Sequence, residues 1–171
     1  MDEYDLIVIG TGGAAMAAGI EARSRAASVL LVEHNALGGT CLNIGCVPSK
    51  NLLAAADQRH RAAVNRFRGV ATSTGGVVMD ALLAQKQALI DHLREVKYAE
   101  VAAAHGLRVV YGHARFLDAH TVQVDDHQLR ARAYVVATGA APHVPDLPGM
   151  ADVDYLTSTT AMEQRDLPAS M

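Results

Sequence analysis

Tryptophan is missing from this 171-residue chain and aromatic residues make up only 4% of it, too few to build a stacking platform for bases. Neither sign of charge dominates: 15 Lys and Arg stand against 18 Asp and Glu, a formal charge of −3. Without a basic field, nucleic acid is not an expected partner. No apolar run reaches the length of a membrane span, and no basic leader precedes an apolar core. Repeats, low-complexity tracts and lipidation signals are lacking too. What remains is an apolar half, enough for one full domain core. Cysteine is the scarcest chemistry: there are two, both within one short segment.

That segment is Gly38-Gly39-Thr40-Cys41-Leu42-Asn43-Ile44-Gly45-Cys46-Val47-Pro48-Ser49-Lys50. A structural zinc site would need a second ligand pair, and none is apparent; the eight histidines are dispersed. A structural bridge and two unrelated buried thiols also compete with a reactive pair. A disulfide asks for Cα atoms about 4.4–6.8 Å apart, which positions i and i+5 of a regular helix do not provide. A distorted turn is therefore expected, with Gly45 supplying freedom and a helix starting near Pro48. Sulfurs at a helix N-terminus, with Lys50 one turn on, are expected to have a lowered thiol pKa. So short a loop gains little stability from a bridge. Reactivity is the favoured reading.

At the N-terminus, Tyr4 to Ile9 reads as a buried parallel strand. Gly10-Thr11-Gly12-Gly13-Ala14-Ala15 follows, then an alanine-rich helix to about Arg25 and a second strand, Ser28 to Glu33. This order is a dinucleotide fingerprint in its proper setting. Gly10 makes the tight turn, Gly12 lets backbone approach a pyrophosphate, and Ala15 allows close helix–strand packing. Glu33 can accept from ribose hydroxyls. The fold class expected is α/β, Rossmann-like, with a parallel sheet, crossover helices and a small inserted β-meander.

The scaffold follows from patterning. Asn51 to about Phe67 reads as a helix with a solvated basic face, Arg68 to Gly76 as a loop. Met79 to about His105 reads as one amphipathic helix, apolar at Leu82, Leu83, Leu89, Ile90, Leu93 and Val96 and capped by Gly106. Between Leu107 and Ala137 short alternating strands with a turn at Asp125-Asp126 predict the meander. Tyr134 to Pro142 is a strand running into a small-residue turn, Ala137-Thr138-Gly139.

Taken together, the glycine turn, the Cys-x4-Cys segment and the Ala-Thr-Gly turn resemble the flavin-dependent pyridine nucleotide–disulfide oxidoreductases, over nearly the whole chain. Softer likenesses, at Gly12 to Ala18, Leu93 to Tyr98 and Asp154 to Met162, resemble the mercury(II)-reducing branch of that family. The resemblance implies FAD as cofactor, held by Gly10, Gly12, Gly13, Gly39, Thr40, Lys50, Thr138 and Gly139. Ala14, Ala15, Glu33, His34 and Asn35 would line the adenosine half, and the backbone of Ala114 would meet adenine. Cys46 would be the thiol beside the flavin, Cys41 the interchange thiol nearer the substrate, and Lys50 a catalytic neighbour of the flavin ring.

Residues 1–150 would form the FAD domain with its redox-active disulfide, and 151–171 the approach to a nicotinamide-binding domain. The family's later segments, including a glutamate partner for Lys50, a dimerisation domain and a C-terminal cysteine pair, would lie beyond Met171. The chain is thus expected to be an N-terminal portion, inactive by itself. The intact protein is expected to be a cytoplasmic homodimer that passes electrons from NADPH through FAD and the Cys41–Cys46 pair to Hg(II). A small disulfide such as glutathione or lipoamide is the second candidate substrate. A non-catalytic flavin-binding or thiolate metal-binding role is a competing reading of another kind.

Overall fold

The computed structural model describes residues 2–170; Met171, the end of the expected domain approach, lies outside them. Six strands form one sheet in the order β3-β2-β1-β6-β5-β4. β1 (Asp2–Ile9), β2 (Val29–Glu33), β3 (Arg108–Tyr111) and β6 (His127–Val136) are its parallel part. β4 (Ala114–Phe116) and β5 (Thr121–Val124) join it antiparallel to β6.

Strand alternation divides the core between two faces. Ile7, Leu30 and Val32 pack with Val122, Val124, Leu129 and Ala131 on one. Val8, Val29 and Leu31 meet Ala15 and Met16 of α1 (Gly13–Ser24), Ala102 of α5 (Glu100–Ala104) and Leu107 on the other. Helix α1 is rich in alanine and glycine, so it comes close to the sheet: a side chain at Gly19 would touch Leu107 at 3.0 Å.

Three sequence readings need correction. β3 is no part of a meander, since it extends the parallel sheet beside β2. The meander is also not a separate insertion. Its last strand is the first half of β6, whose residues from Leu129 onward also pair with β1, so ten residues serve both sub-sheets where the sequence suggested two strands. Asp125 makes the expected turn with φ +48°. The helix read over Asn51 to about Phe67 runs instead as α3 (Cys46–Ala63), with its start where the cysteine segment placed one, near Pro48; Pro48 sits in its first turn, where a missing N–H costs no intrahelical bond.

The long helix forms in pieces: α4 (Met79–Arg94), a π-helical turn over Glu95–Ala99, then α5. It ends as expected at Gly106, at φ +64°. Leu107 N donates to Ala102 O and Gly106 N to Ala103 O, a Schellman closure. After β6, the chain from Ala137 to Asp166 is mostly irregular, apart from a 3-10 turn at Met150–Asp152 and the short α6 (Ser158–Ala161).

Candidate active site

The carboxyl ends of β1, β6 and β2 lie side by side, the edge of an open α/β sheet where ligands bind. Gly10 leaves β1 at φ +116°, and a Cβ there would fall 2.2 Å from the Ala137 carbonyl oxygen. Only glycine fits. Gly12 has an ordinary φ of −68°, so its glycine is not demanded by backbone conformation. Its Cα faces Gly39, where an added Cβ would come within 2.7 Å of it. Gly139, at φ +74°, lies by the Thr40 hydroxyl, 3.4 Å from where its Cβ would be. Three close contacts thus bring together three segments that are far apart in sequence. Beside them the first turn of α1 has no side-chain cap and no acidic residue, which leaves its amides free to face an anion. Gly13 and Ala14 are exposed there, while Ala15 is fully buried against the sheet.

Sequence reasoning missed Thr11, which is 1% exposed. Its hydroxyl donates to Glu33 Oε2 and accepts from the Gly38 amide at 3.2 Å, so it ties the glycine turn to the end of β2 and to the cysteine segment. The buried Glu33 carboxylate also accepts from the Asn35 amide at 2.8 Å. His34 and Asn35 are exposed. Ala114 is not brought against the glycine turn: it pairs with Val124 and packs at the edge of the core. The ring of the adjoining His113 stands 5.5 Å from that of His34.

The cysteine segment breaks as its spacing requires. α2 (Gly39–Asn43) stops, and the chain doubles back so that Gly45 sits against Thr40 O and Cys41 Cα, at 3.0 and 3.4 Å from the position of an added Cβ. α3 then starts at Cys46 itself. Both thiols are free and exposed. Asn43, unremarked in the sequence, braces this turn. Its Nδ2 donates to the carbonyls of Ala36, Leu37 and Gly39, and its Oδ1 accepts from Arg94 at 2.8 Å.

One electrostatic expectation is overturned. The Cys41 thiol pKa is raised, not lowered. Hydrogen bonding to the Cys46 thiol is the main cause, followed by burial and by the Cys46 charge. A thiol that gives its hydrogen bond and lies beside a second titrating sulfur resists ionisation. Burial and the charges of the same two sulfurs push Tyr98 upward as well. Tyr98 belongs to the π-helical turn and its ring lies beside Gly38.

An open cleft of about 900 Å³ runs along the start of α3, lined by Thr40, Gly45, Cys46 and Lys50 of the cysteine segment and by Ser158, Thr159 and Met162 from the far end of the chain. Cys46 lines it, Cys41 does not. Among the described residues no group of three or more His, Cys, Asp or Glu could hold a metal ion, and no helix is long and apolar enough to cross a membrane.

Residues 4–171 match the family model described as Pyridine nucleotide-disulphide oxidoreductase. The chain belongs to that family. Among curated relatives, the Mercuric reductase of Staphylococcus aureus is 44% identical over 97% of this chain and 30% of its own length. The Mercuric reductase of Streptomyces lividans is 46% identical over 96% and 36%. The HOCl-induced flavoprotein disulfide reductase RclA from Escherichia coli, solved as its Cu(II) complex, superposes with a TM-score of 0.79 at 26% identity, over 98% of this chain and 36% of that one. The chain spans about a third of the length of such relatives.

Proposed function

We propose that residues 1–150 are the FAD-binding unit of an enzyme that reduces Hg(II) to Hg(0) with electrons from NADPH, and that 151–171 lead toward a nicotinamide-binding domain and a homodimer interface. The observation that carries this is the convergence of Gly10, Gly12, Gly39 and Gly139 at one sheet edge, with Cys46 and Lys50 on the adjoining cleft.

The residues fit FAD. The pyrophosphate would meet the free amides at the start of α1, in space that a side chain on Gly12 or Gly13 would fill. Glu33, buried and fixed by Thr11 and Asn35 N, retains lone pairs for a ribose hydroxyl. Thr40, Thr138, Gly139 and Lys50 would border the rest of the cofactor, with His34, Asn35 and the Ala114 backbone on the adenosine side. FAD supplies two-electron transfer between NADPH and sulfur.

The protein's own part is to hold sulfur and charge. Cys46 opens α3 and lines the cleft together with Lys50. The neighbouring Cys46 thiol raises the Cys41 pKa, so Cys41 holds its proton to higher pH than an ordinary thiol. It stands outside the cleft, open to an arriving substrate. A dithiol of this kind suits a soft cation such as Hg(II). The curated relatives favour this substrate. The flavoprotein disulfide reductase likeness favours a second reading, a small disulfide substrate.

Titrating the chain with FAD tests the cofactor site by fluorescence quenching. Binding by the wild-type chain is expected, and undiminished affinity in Gly12→Val would rule out the assigned pyrophosphate position. NADPH oxidation by the chain extended to the length of its relatives, with Hg(II) and excess thiol, tests the substrate. Stimulation by oxidised glutathione or lipoamide but not by Hg(II) would replace the mercury reading with the second one.

A further inference from the structure

Lys86 is among the largest side chains in the protein that are fully buried, at 1% exposure. An ammonium group there is costly unless it is paired and hydrogen-bonded. Its Nζ donates to the Met162 carbonyl at 2.8 Å and to Glu163 Oε1 at 2.5 Å. Both acceptors lie 76 or more positions away, at the end of α6.

Little else ties that part of the chain down. Among the described residues, the other hydrogen bond from residues 140–170 to the preceding chain is Arg165 to Asp80, between side chains 77% and 72% exposed. An exposed pair of this kind holds weakly. The helix itself is locally made: Thr157 and Thr160 cap each other, and Ala161 N donates to Thr157 O. The Lys86 ammonium holds this helix at its C-terminal end. Three residues of that segment, Ser158, Thr159 and Met162, line the same cleft as Cys46 and Lys50.

We propose that Lys86 is a positioning residue: by holding Met162 and Glu163 from inside the fold it fixes the place of Ser158, Thr159 and Met162 along the thiol cleft, and so sets how tightly the flavin is held. This rests on the flavin reading given above. The lysine touches neither thiol nor cofactor and acts through α6.

The test compares the wild-type chain with Lys86→Met, Glu163→Gln and Arg165→Ala. FAD affinity is read by fluorescence quenching, and amide hydrogen exchange is followed separately over residues 157–163 and over β1. Lys86→Met is expected to weaken FAD about fivefold or more, in the usual range for coupling between linked sites, and to speed exchange over 157–163 while β1 stays protected. Glu163→Gln, which spares the bond to Met162 O, falls between that variant and wild type. Arg165→Ala matches wild type. Unchanged affinity and exchange in Lys86→Met would overturn the proposal, as would a loss of affinity in which β1 exchange rises equally. A wild-type chain that takes up no FAD would overturn the flavin reading instead, and exchange over 157–163 would then decide the tether by itself.

Discussion

The glycine turn after β1 and the cysteine segment from Gly39 to Lys50 touch at Gly12 and Gly39, yet they are stabilised by opposite means. The turn is shaped by backbone: Gly10 lies against a carbonyl, Gly10 N donates to Val32 O at 2.7 Å, and Ala137 N donates to Ile9 O at 2.8 Å. Its buried side-chain bonds, from Thr11 to Glu33 and from Gly38 N to Thr11, are out of solvent. The cysteine segment is shaped by side chains, chiefly Asn43 and Arg94, around two exposed thiols. The turn is closed backbone, whereas the two thiols stand open to solvent.

If that contrast is right, the largest effect of substitution falls on the turn. Gly10→Ala forces a Cβ into the Ala137 carbonyl at positive φ and is expected to cost about 3 kcal/mol or more. Urea unfolding measures it, and a loss below about 1 kcal/mol would mean the turn yields more easily than its contacts indicate. Thr11→Val comes next. It removes a donor from the buried Glu33 carboxylate and an acceptor from Gly38 N, for about 1–3 kcal/mol in the same assay. Asn43→Ala is expected to cost about 1 kcal/mol globally but to raise hydrogen exchange over residues 36–45 while β1 stays protected; equal loosening of both regions would erase the distinction.

The smallest effect is a shift without destabilisation. Because Cys46 raises the Cys41 pKa, Cys41 holds its proton to higher pH than an ordinary thiol, and its alkylation by iodoacetamide should set in correspondingly late. Cys46→Ala removes both the hydrogen bond and the charge, so the Cys41 alkylation midpoint should move to lower pH. A midpoint that stays put or rises would show that burial, not Cys46, controls it.

The same contrast explains what the sequence made legible. Steric necessity is written locally: Gly10, Ala15 and Gly106 each announce a turn, a close approach or a cap, and the structure has all three. The break between Cys41 and Cys46 was readable for the same reason. Sheet order was less so. β3 and β6 carry alternating patterns that look alike whether the neighbour runs parallel or antiparallel, and nothing in His127 to Val136 marks where one partner gives way to the other. Residues whose partners are remote left no local sign. Thr11 stands between two glycines that carry the local signal, Asn43 looks like any polar residue near a turn, and Lys86 reads as one more charge on a long helix until Met162 and Glu163 arrive from the far end of the chain. The Cys41 pKa was misjudged because the helix dipole is visible in a sequence, whereas the effect of one sulfur on the other depends on how closely the turn folds back.

The account stands most directly on Cys46, and not Cys41, being the sulfur on the flavin side of the cleft. The deciding measurement is the visible spectrum of Cys41→Ala and Cys46→Ala, each loaded with FAD and titrated upward in pH. Long-wavelength absorbance that grows with thiolate in Cys41→Ala and is missing in Cys46→Ala is the result expected. The reverse pattern, or flavin bound with no such absorbance in either variant, would contradict the assignment of the two sulfurs.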